Sequence, residues 1–456
     1  MICVISSVLT STPTGVASMK NTPLSISLFV TIKLCMISTF LFCTPTEEEV
    51  RNKDGSLTNP TASFIYNAIP ENETATITPE YNTAINSFAV NLLHALCTSD
   101  SLADKNIIIS PLNINRNLAI VTEAAAGETK QELLNTLGGQ QALDDAKNAL
   151  GELLYADNSV ILQIADAIWT NSDKYELIPS FASLAESKYG VRCTTLDFTD
   201  VGNTVKTVNN WIEENTAHNI KNMINENYIK PLTACFITSA IYFKADWTSP
   251  FDISKTAKQS FTTPDGITSV DMMVSMNSFQ TIVTDDYHNA KLYYGTSQKD
   301  YFFLDVYMPM TQTVPDFIQQ RCPDVLKGAD SIDYRAVQMP KFVFENKLNL
   351  QPALESIGIK RAFSNTESEI TGMATLKGTT VPSQLVIDTI VHCAGIRTDE
   401  EGTEAYAVTA TTLSDNCASG FDEIIFNKPF LYFIRAGENG LILFAGIMNN
   451  PNELSY

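Results

Sequence analysis

Histidine and cysteine are the side chains of this chain that could pair as base and nucleophile, and their positions argue against catalysis. Of the four histidines, His392 directly precedes Cys393 in the apolar run QLVIDTIVHCAGIRTD. Successive residues of a strand point to opposite faces, so these two side chains cannot form a hydrogen-bonded dyad. Cys417 lies in a polar loop, a poor place for a preorganised nucleophile. The common hydrolase, metalloprotease and nucleotide-binding motifs are absent, so we expect no enzyme.

The nine cysteines indicate neither a metal site nor a dense disulfide framework. They include no CxxC pair and no histidine at the spacing of zinc ligands. Three lie within the first 43 residues, and the other six are scattered over more than 300 residues. We therefore expect no metal and no cofactor, and the pairing of the six body cysteines stays open.

The charge balance excludes several classes of partner. The chain carries 51 acidic and 30 basic residues, a formal net charge of −21. Such a chain repels polyanions, so we expect neither nucleic-acid binding nor heparin binding. The acidic residues are dispersed, and their main effect is on solubility.

A small-residue segment after Asp399 is the most distinctive stretch of the chain. Read with the period of a β-strand, its residues alternate between two faces. One face has only small, uncharged side chains, which are Thr403, Ala405, Ala407, Thr409 and Thr411. The segment also lacks large apolar anchors, which is typical of an exposed loop. It suits both a surface loop and a central strand, and the pattern alone leaves both interpretations open.

The elements around this segment predict an α+β fold. Helical periodicity dominates early, and apolar strand patterns dominate late. The predicted helices are 82–96, 112–126, 130–137 and 204–224. The predicted strands are 106–111, 160–170, 234–247, 301–309, 336–350 and 384–399. Late strands without alternating helices favour large, mainly antiparallel sheets over βαβ repeats.

Residues 1–43 are predicted to be a leader. They end in a mostly apolar stretch, Leu24 to Cys43, that is typical of a secretory signal, with Met19 as a candidate start. Lys33 weakens this interpretation because a charge in the apolar region is costly, and a retained membrane anchor is the alternative. We expect the protein to be secreted, with contact to a membrane only if the leader stays as an anchor.

Residues 44–80 are polar and are predicted to be a flexible linker. They contain one glycosylation sequon, at Asn72, which has meaning only for a secreted eukaryotic chain. Residues 81–456 form the body, with 44% of the whole chain hydrophobic, enough for a large core.

Five segments in order resemble the serpin family, over roughly residues 82–451. They are NIIISPLNI with AAAGETKQELLNTLG; VNNWIEENTAHNIKNMI; IYFKADWTSPF; VQMPKFVFENKLNLQPALESIGIKRAF; and DTIVHCAGIRTDEEGTEA with FNKPFLYFIR and ILFAGIMNNP. The resemblance implies three sheets, about nine helices and an exposed reactive-centre loop at about 400–425. It also implies a monomeric inhibitor that traps an endopeptidase as a covalent acyl-enzyme, since the cut loop inserts into the main sheet.

The resemblance assigns roles to residues by position. The hinge from which insertion starts corresponds to Glu400, Glu401, Gly402, Thr403, Glu404, Ala405, Ala407 and Thr409. The region where the main sheet opens corresponds to Ser110, Asn113, Ser239, Trp247 and His392. Asn113 stands where a serine is usual in the family, and Ser239 stands where an asparagine is usual. The exchange keeps the hydrogen-bonding capacity of the two positions. Gly402 is expected to act as a joint without steric restriction.

The scissile bond depends on a register of one residue. Seventeen residues counted from Glu400 end at Asn416, so family spacing makes Asn416-Cys417 the reactive bond. The expected target is then an asparagine-specific cysteine peptidase. A shift of one makes Asp415-Asn416 the bond and an aspartate-specific peptidase the target. Leu413, which would suit a chymotrypsin-like serine peptidase, is a third alternative.

A non-inhibitory serpin that acts as a carrier, chaperone or storage protein is the rival class. Such members usually place bulky residues, charged residues or proline on the inserting face. The inserting face of this chain, from Thr403 to Thr411, has none of these. The resemblance therefore favours the inhibitor.

Overall fold

The computed structural model describes most of the body. The described residues are 78–153, 160–216, 218, 220–230, 233–295, 302–328, 332–404, 422–437 and 439–453. The predictions that lie outside them concern the leader, the linker, the sequon at Asn72, the bond candidates Asp415, Asn416 and Cys417, and hinge residues Ala405, Ala407 and Thr409. Within the described residues, no helix has the length and apolarity needed to cross a bilayer.

A six-stranded sheet, which we call the main sheet, positions the candidate site. Its strands are β2 (Val160–Asn171), β4 (Val191–Leu196), β5 (Cys235–Asp246), β12 (Phe342–Asn349), β14 (Ile387–Thr398) and β15 (Gly402–Glu404). Their order across the sheet is β12-β14-β15-β5-β2-β4. The long inner strands follow near-continuous apolar runs, as expected for strands that are covered on both faces.

The second sheet has ten strands. They are β1 (Ile107–Ile109), β6 (Ala257–Thr263), β7 (Gly266–Val274), β8 (Phe279–Val283), β9 (Tyr287–Tyr293), β10 (Phe302–Pro309), β11 (Asp333–Pro340), β16 (Glu423–Ile425), β17 (Phe430–Ala436) and β18 (Leu441–Met448). Their order is β1-β18-β17-β10-β9-β8-β11-β7-β6, with β16 parallel to β11. A third, small sheet pairs β3 (Tyr175–Leu177) with β13 (Ala374–Leu376).

The described residues contain nine α-helices. They are α1 (Pro79–Cys97), α2 (Pro111–Ala124), α3 (Gly127–Leu137), α4 (Gly139–Leu153), α5 (Pro179–Leu184), α6 (Val201–Asn215), α7 (Val314–Gln320), α8 (Cys322–Val325) and α9 (Gln351–Ser356). The α+β prediction with three sheets is confirmed. One apolar cluster joins α1, α2 and the two large sheets, and a second packs α6 against the other face of the main sheet.

Helix α2 is unusual because it is polar and yet buried. The Ser110 side chain caps it by accepting from the Asn113 N–H, and Pro111 occupies the first turn. Every residue of the helix except Glu123 is buried, including three asparagines and Arg116. Buried polar side chains need partners, so the contacts of α2 with the main sheet determine how it packs.

One predicted helix is shorter than expected. The pattern predicted a helix over 204–224, but α6 ends at Asn215. His218 has a φ of 62°, in the left-handed region that interrupts a helix. The Asn209 side chain then bonds both the N–H and the carbonyl of Ile224, each at 2.9 Å. The apolar residues after the helix therefore pack back on α6 without being helical.

The segment predicted as one strand at 336–350 is two strands in different sheets. β11 ends at Pro340 in the second sheet, and β12 begins at Phe342 in the main sheet. Proline has no N–H for a ladder, which makes it a natural end point for a strand. Strand β11 of the second sheet and strand β12 of the main sheet are therefore joined by the single residue Lys341.

Candidate insertion site in the main sheet

The chain turns back on itself immediately after β14. The Asp399 carboxylate accepts from the N–H groups of Glu401 at 3.0 Å and Gly402 at 3.3 Å. Its other oxygen binds the Arg397 guanidinium, with Nη2 at 2.9 Å. Aspartate commonly forms turns by bonding the backbone a few residues ahead. The turn returns the chain as β15, antiparallel to β14.

Strand β15 lies between β14 and β5. Thr403 pairs with Thr398 of β14 on one side and with Ala245 of β5 on the other, antiparallel in both cases. Further along the same two strands, β14 and β5 pair directly and in parallel. We call this direct pairing, 387–393 with 235–240, the seam. The main sheet is thus forked, and β15 occupies the open end of the fork.

Gly402 lies where the backbone of β5 approaches most closely. A Cβ at this position would lie 2.8 Å from the Asp246 Cα and closer still to the Ala245 carbonyl oxygen. Any other residue would push β15 away from β5. The sequence suggested glycine for the freedom of a joint, whereas the structure gives close backbone packing as its reason.

The two residues after Gly402 point to opposite faces of the sheet. Thr403 is buried, and its Oγ1 accepts from the Tyr294 hydroxyl at 2.7 Å. Glu404 points outward, where the Tyr242 hydroxyl donates to it at 3.0 Å and the Lys244 Nζ lies 3.6 Å away. This alternation follows the strand period read from the sequence.

Glu400 is a buried carboxylate at the turn. Its side chain is 5% exposed, and one oxygen lies 2.7 Å from the Nζ of Lys341. Its other oxygen accepts from the Thr256 hydroxyl at 2.6 Å. The Glu400 carbonyl accepts from the Phe251 N–H at 2.9 Å. A charged pair with further hydrogen bonds can offset the cost of burying the carboxylate.

Trp247 follows β5 and holds the turn from beneath. Its indole Nε1 donates to the Asp399 carbonyl at 2.8 Å, and its backbone N–H donates to the Glu401 carbonyl at 2.8 Å. The indole also stacks on Tyr294, with centroids 4.5 Å apart. The family resemblance assigned Trp247 to the region where the main sheet opens, and the structure brings it into contact with the turn at Asp399 and Glu401.

His392 contacts helix α2 at the seam. Its Nε2 accepts from the Ser110 N–H at 3.0 Å, and the Ser110 hydroxyl donates to the Leu443 carbonyl at 2.8 Å. Burial lowers the pKa of His392 to about 3, so the ring stays neutral and Nε2 can accept. Cys393 lies on the opposite face in the α6 cluster. The two residues therefore do not form a dyad.

Asn113 and Ser239 lie on the β5 side of the seam. The Asn113 amide donates to the Ala240 carbonyl at 3.2 Å. Ser239 is directly opposite His392 in the strand register. The Ser239 Oγ and the His392 Nδ1 are buried and make no hydrogen bond within the described part of the chain. The Asn113 amide thus reaches the sheet from α2. The Ser239 hydroxyl between the strands has no hydrogen bond to the described residues.

Three residues of the site were not predicted from the sequence. Lys341, Tyr294 and Tyr242 contact the turn or β15, and each lies far from it along the chain. A local pattern carries no sign of such pairings. The proline before Lys341, which places this lysine between two sheets, was the one usable signal.

The fold and the fork together define a class of α+β protein in which a short strand, β15, lies between two strands that pair directly further along the main sheet. The family model described as Serpin (serine protease inhibitor) matches residues 83–451, and the chain belongs to this family. Members are mostly peptidase inhibitors that bind target peptidases, and some do not inhibit. An uncharacterized serpin-like protein of Thermococcus kodakarensis is 30% identical, over 81% of this chain and 85% of that protein.

Solved structures agree with the fold. Serpin48, described as a highly specific serpin of the insect Tenebrio molitor, has a TM-score of 0.69 at 25% identity, covering 83% of this chain and 100% of that one. Human thyroxine-binding globulin with its hormone also has a TM-score of 0.69, at 23% identity, covering 82% of this chain and 100% of that one. The second likeness shows the fold alone.

We expect the change Gly402→Ala to displace β15 from the fork, because the added methyl would overlap the β5 backbone. The free energy of unfolding should fall by about 1–3 kcal/mol, the usual range for an overpacked site. Hydrogen exchange followed by mass spectrometry should show faster exchange in 402–404 and 244–246. The matched control is Gly202→Ala on α6, where a Cβ meets open space. Unchanged exchange in Gly402→Ala would contradict the close packing.

Proposed function

We propose that this chain inhibits an endopeptidase by inserting its cut loop into the seam between β14 and β5. The observation that carries the proposal is the position of Thr403, which already lies between these two strands. Because β15 runs antiparallel to both, it points toward the seam. Peptidase attack would form an acyl-enzyme at the bait residue and release the downstream amine. Insertion would then carry the bound peptidase along the main sheet.

The pairing geometry supplies a driving force for insertion. The seam is a parallel ladder, whereas β15 makes antiparallel pairs on both sides. Insertion replaces one parallel ladder by two antiparallel ones, which are slightly more stable per residue. Twelve residues lie between Glu404 and the predicted bond after Asn416. At about 0.5–1.5 kcal/mol per hydrogen bond, they could contribute on the order of 10 kcal/mol before the entropy of ordering.

The register of β15 supports the predicted inserting face. Continued from Thr403, it would bring Thr409 between His392 and Ser239, with Ala405 and Ala407 on the same inward face. A threonine hydroxyl can donate and accept at once. Insertion as far as Thr409 would therefore offer a partner to the unbonded Nδ1 of His392 and Oγ of Ser239.

We expect Thr409→Glu to abolish trapping while the loop is still cut. The inserted carboxylate would be buried without a cationic partner, at a cost of several kcal/mol. The matched control is the neighbouring Val408→Glu, whose side chain would face outward in the same strand. Gels of SDS-stable complex and of cut inhibitor should show complex for Val408→Glu and only cleavage for Thr409→Glu. Equal trapping by both variants would reject the proposed register.

We propose an asparagine-specific cysteine peptidase as the target, with Asn416-Cys417 as the reactive bond. The alternative is an aspartate-specific peptidase that cuts at Asp415-Asn416. The chain incubated with an asparagine-specific peptidase should give an SDS-stable complex and a released fragment that begins at Cys417. Mass spectrometry of the fragment decides the register, because a fragment that begins at Asn416 moves the bait to Asp415. Cleavage without complex would mean that this peptidase treats the chain as a substrate.

We also propose that the protein is secreted as a monomer, with a glycan at Asn72, and an anchored form is the alternative. The apolar stretch in the leader supports export. The free cysteines of the described residues do not argue against export, because burial raises the pKa of each thiol and keeps it unreactive. These buried free thiols are Cys97, Cys193, Cys235, Cys322 and Cys393.

A small-molecule carrier is the second candidate function. A cavity of about 890 Å³ lies between α1 and the second sheet, with Asn86, Val90, Lys291, Phe303 and Leu326 among its lining residues. This volume is within the range of roughly 300–1,000 Å³ that is usual for small-molecule sites. The thyroxine-binding globulin structure with thyroxine gives a precedent for a carrier with this fold.

Thermal unfolding before and after loop cleavage separates the two functions. For a gain on the order of 10 kcal/mol, an inhibitor of this size should melt about 10 °C higher after one cut between 405 and 421. The gain arises because the cut loop can insert. A carrier whose loop does not insert should keep its melting temperature, and that result would favour the second candidate.

A further inference from the structure

Helix α2 is attached to strands on both sides of the seam. Ser110 contacts β14, and Asn113 contacts β5, as described above. Three residues further along the helix, Nη1 of Arg116 lies 3.4 Å from Oδ2 of Asp166 on β2. Residues three apart lie on one side of a helix, so α2 presents a polar face that crosses beneath three neighbouring strands.

The Arg116–Asp166 ion pair is fully buried. The side chains are 1% and 0% exposed, and Arg116 also donates to the Tyr189 carbonyl. The Nε of Arg116 and the Oδ1 of Asp166 have no hydrogen-bond partner among the described residues. A buried pair with unfilled hydrogen-bonding positions adds little to overall stability. Its position relative to the seam therefore offers a better account of its role.

Asp166 belongs to a polar row that crosses the seam. Asp166 is opposite Ser239 in the strand register, and Ser239 is opposite His392. Separation of β14 from β5 must therefore break or shift the contacts of α2 on one side. We propose that the Arg116–Asp166 pair fixes β2, and with it β5, to α2 and so sets the barrier to opening of the seam. This regulating contact rests on the insertion mechanism proposed above.

The charge of Asp166 makes the contact between α2 and β2 sensitive to pH. Burial raises the pKa of Asp166 to about 7, against the lowering effect of the neighbouring Arg116 guanidinium. The charge therefore changes near neutral pH, whereas a guanidinium stays charged. Separating the pair inside the dry layer costs less when the carboxyl is neutral, because the Coulomb attraction is gone. Opening should accordingly be faster at about pH 6 than at about pH 8.

Global stability should respond to pH in the opposite direction. The pKa of Asp166 is higher in the folded chain than in the unfolded chain, where it is about 3.9. The folded state then holds more protons between these values, so this group destabilises the fold as pH rises toward 7. Faster opening at lower pH would therefore not be a by-product of a weaker fold.

The nearby tyrosines and histidine do not change charge between about pH 6 and pH 8. Burial raises the pKa of Tyr81 and Tyr189 above the ordinary tyrosine value and lowers that of His392 to about 3. The uncharged Val191 and Ser239 flank Asp166 on β4 and β5. The groups that face the pair from α1, α4, the turn before β4, α2 and β14 are Tyr81, Asp145, Tyr189, Glu123 and His392.

The test measures how fast the full chain takes up a synthetic peptide with the sequence of its own residues 403–416. Native gels with a labelled peptide give the rate at about pH 6 and about pH 8. We expect Asp166→Asn to take up the peptide about tenfold faster at the higher pH, a change of roughly 1.4 kcal/mol in barrier. The wild-type rate should rise at the lower pH, and the rate of Asp166→Asn should not change with pH.

A second buried ion pair provides the matched control. Arg435 Nη1 lies 2.7 Å from Asp305 Oδ2. Both residues belong to the second sheet, whereas the seam is in the main sheet. The change Asp305→Asn should lower the free energy of unfolding but keep the wild-type uptake rate and its pH dependence. If both variants accelerated uptake alike, general destabilisation would explain the result and the proposal would be wrong. Uptake by Asp166→Asn at the wild-type rate, or a reversed pH slope, would also overturn it.

A double variant covers the case in which Asp166→Asn does not fold. Asp166→Asn leaves Arg116 buried without a counter-charge, so the double variant Arg116→Met with Asp166→Asn replaces it if the single variant does not fold. The double variant should also take up the peptide fast and independently of pH. Uptake by the double variant at the wild-type rate would reject the proposed role of the Arg116–Asp166 pair. Peptide uptake needs no peptidase, so failure of inhibition is seen separately. If the wild-type chain takes up no peptide, both the proposed insertion into the seam and the proposed role of the Arg116–Asp166 pair would be wrong.

Discussion

The parallel pairing of β14 with β5 is the interaction on which the rest of this structure depends. Each strand is 12 residues long, yet they pair directly along only part of their length because β15 enters from one end. Parallel pairing is the weaker of the two ladder types, and an antiparallel partner already sits on both strands at the fork. The closed seam is therefore an arrangement that contacts outside the ladder must hold in place.

Those contacts lie at the fork and at the end of the seam that adjoins the fork, and they differ in kind. At the fork, Trp247 bonds two carbonyls of the turn, and Lys341 pairs with the buried Glu400. These contacts fix where β15 begins, and they do not oppose its extension. Where the seam adjoins the fork, α2 bonds both β14 at His392 and β5 at Ala240, so it opposes their separation. In the proposed mechanism, the start of insertion is thus favoured, while its continuation would meet resistance from α2.

Local periodicity predicted the features that depend on neighbours in sequence. The inward direction of Thr403 and the outward direction of Glu404 follow from a period of two. The serpin resemblance indicated that this segment starts an insertion into the main sheet. The pair Lys341–Glu400 could not be predicted, since its partners are 59 residues apart and meet only through the folded sheet. The buried Arg116 did leave a signal, because a charged residue inside an otherwise apolar and asparagine-rich helix requires a partner. The sequence offered no means of identifying that partner as Asp166.

The polar nature of the α2 contacts suits a seam that is closed and that would open in the proposed mechanism. An apolar layer would attract without direction and let strands slide gradually, whereas hydrogen bonds weaken steeply with distance and angle. A polar layer therefore holds one register and releases it abruptly. Within this layer, burial lowers the pKa of His392 to about 3 and raises that of Asp166 to about 7. The contact of α2 with β14 should therefore not change near neutral pH, whereas its contact with β2 should.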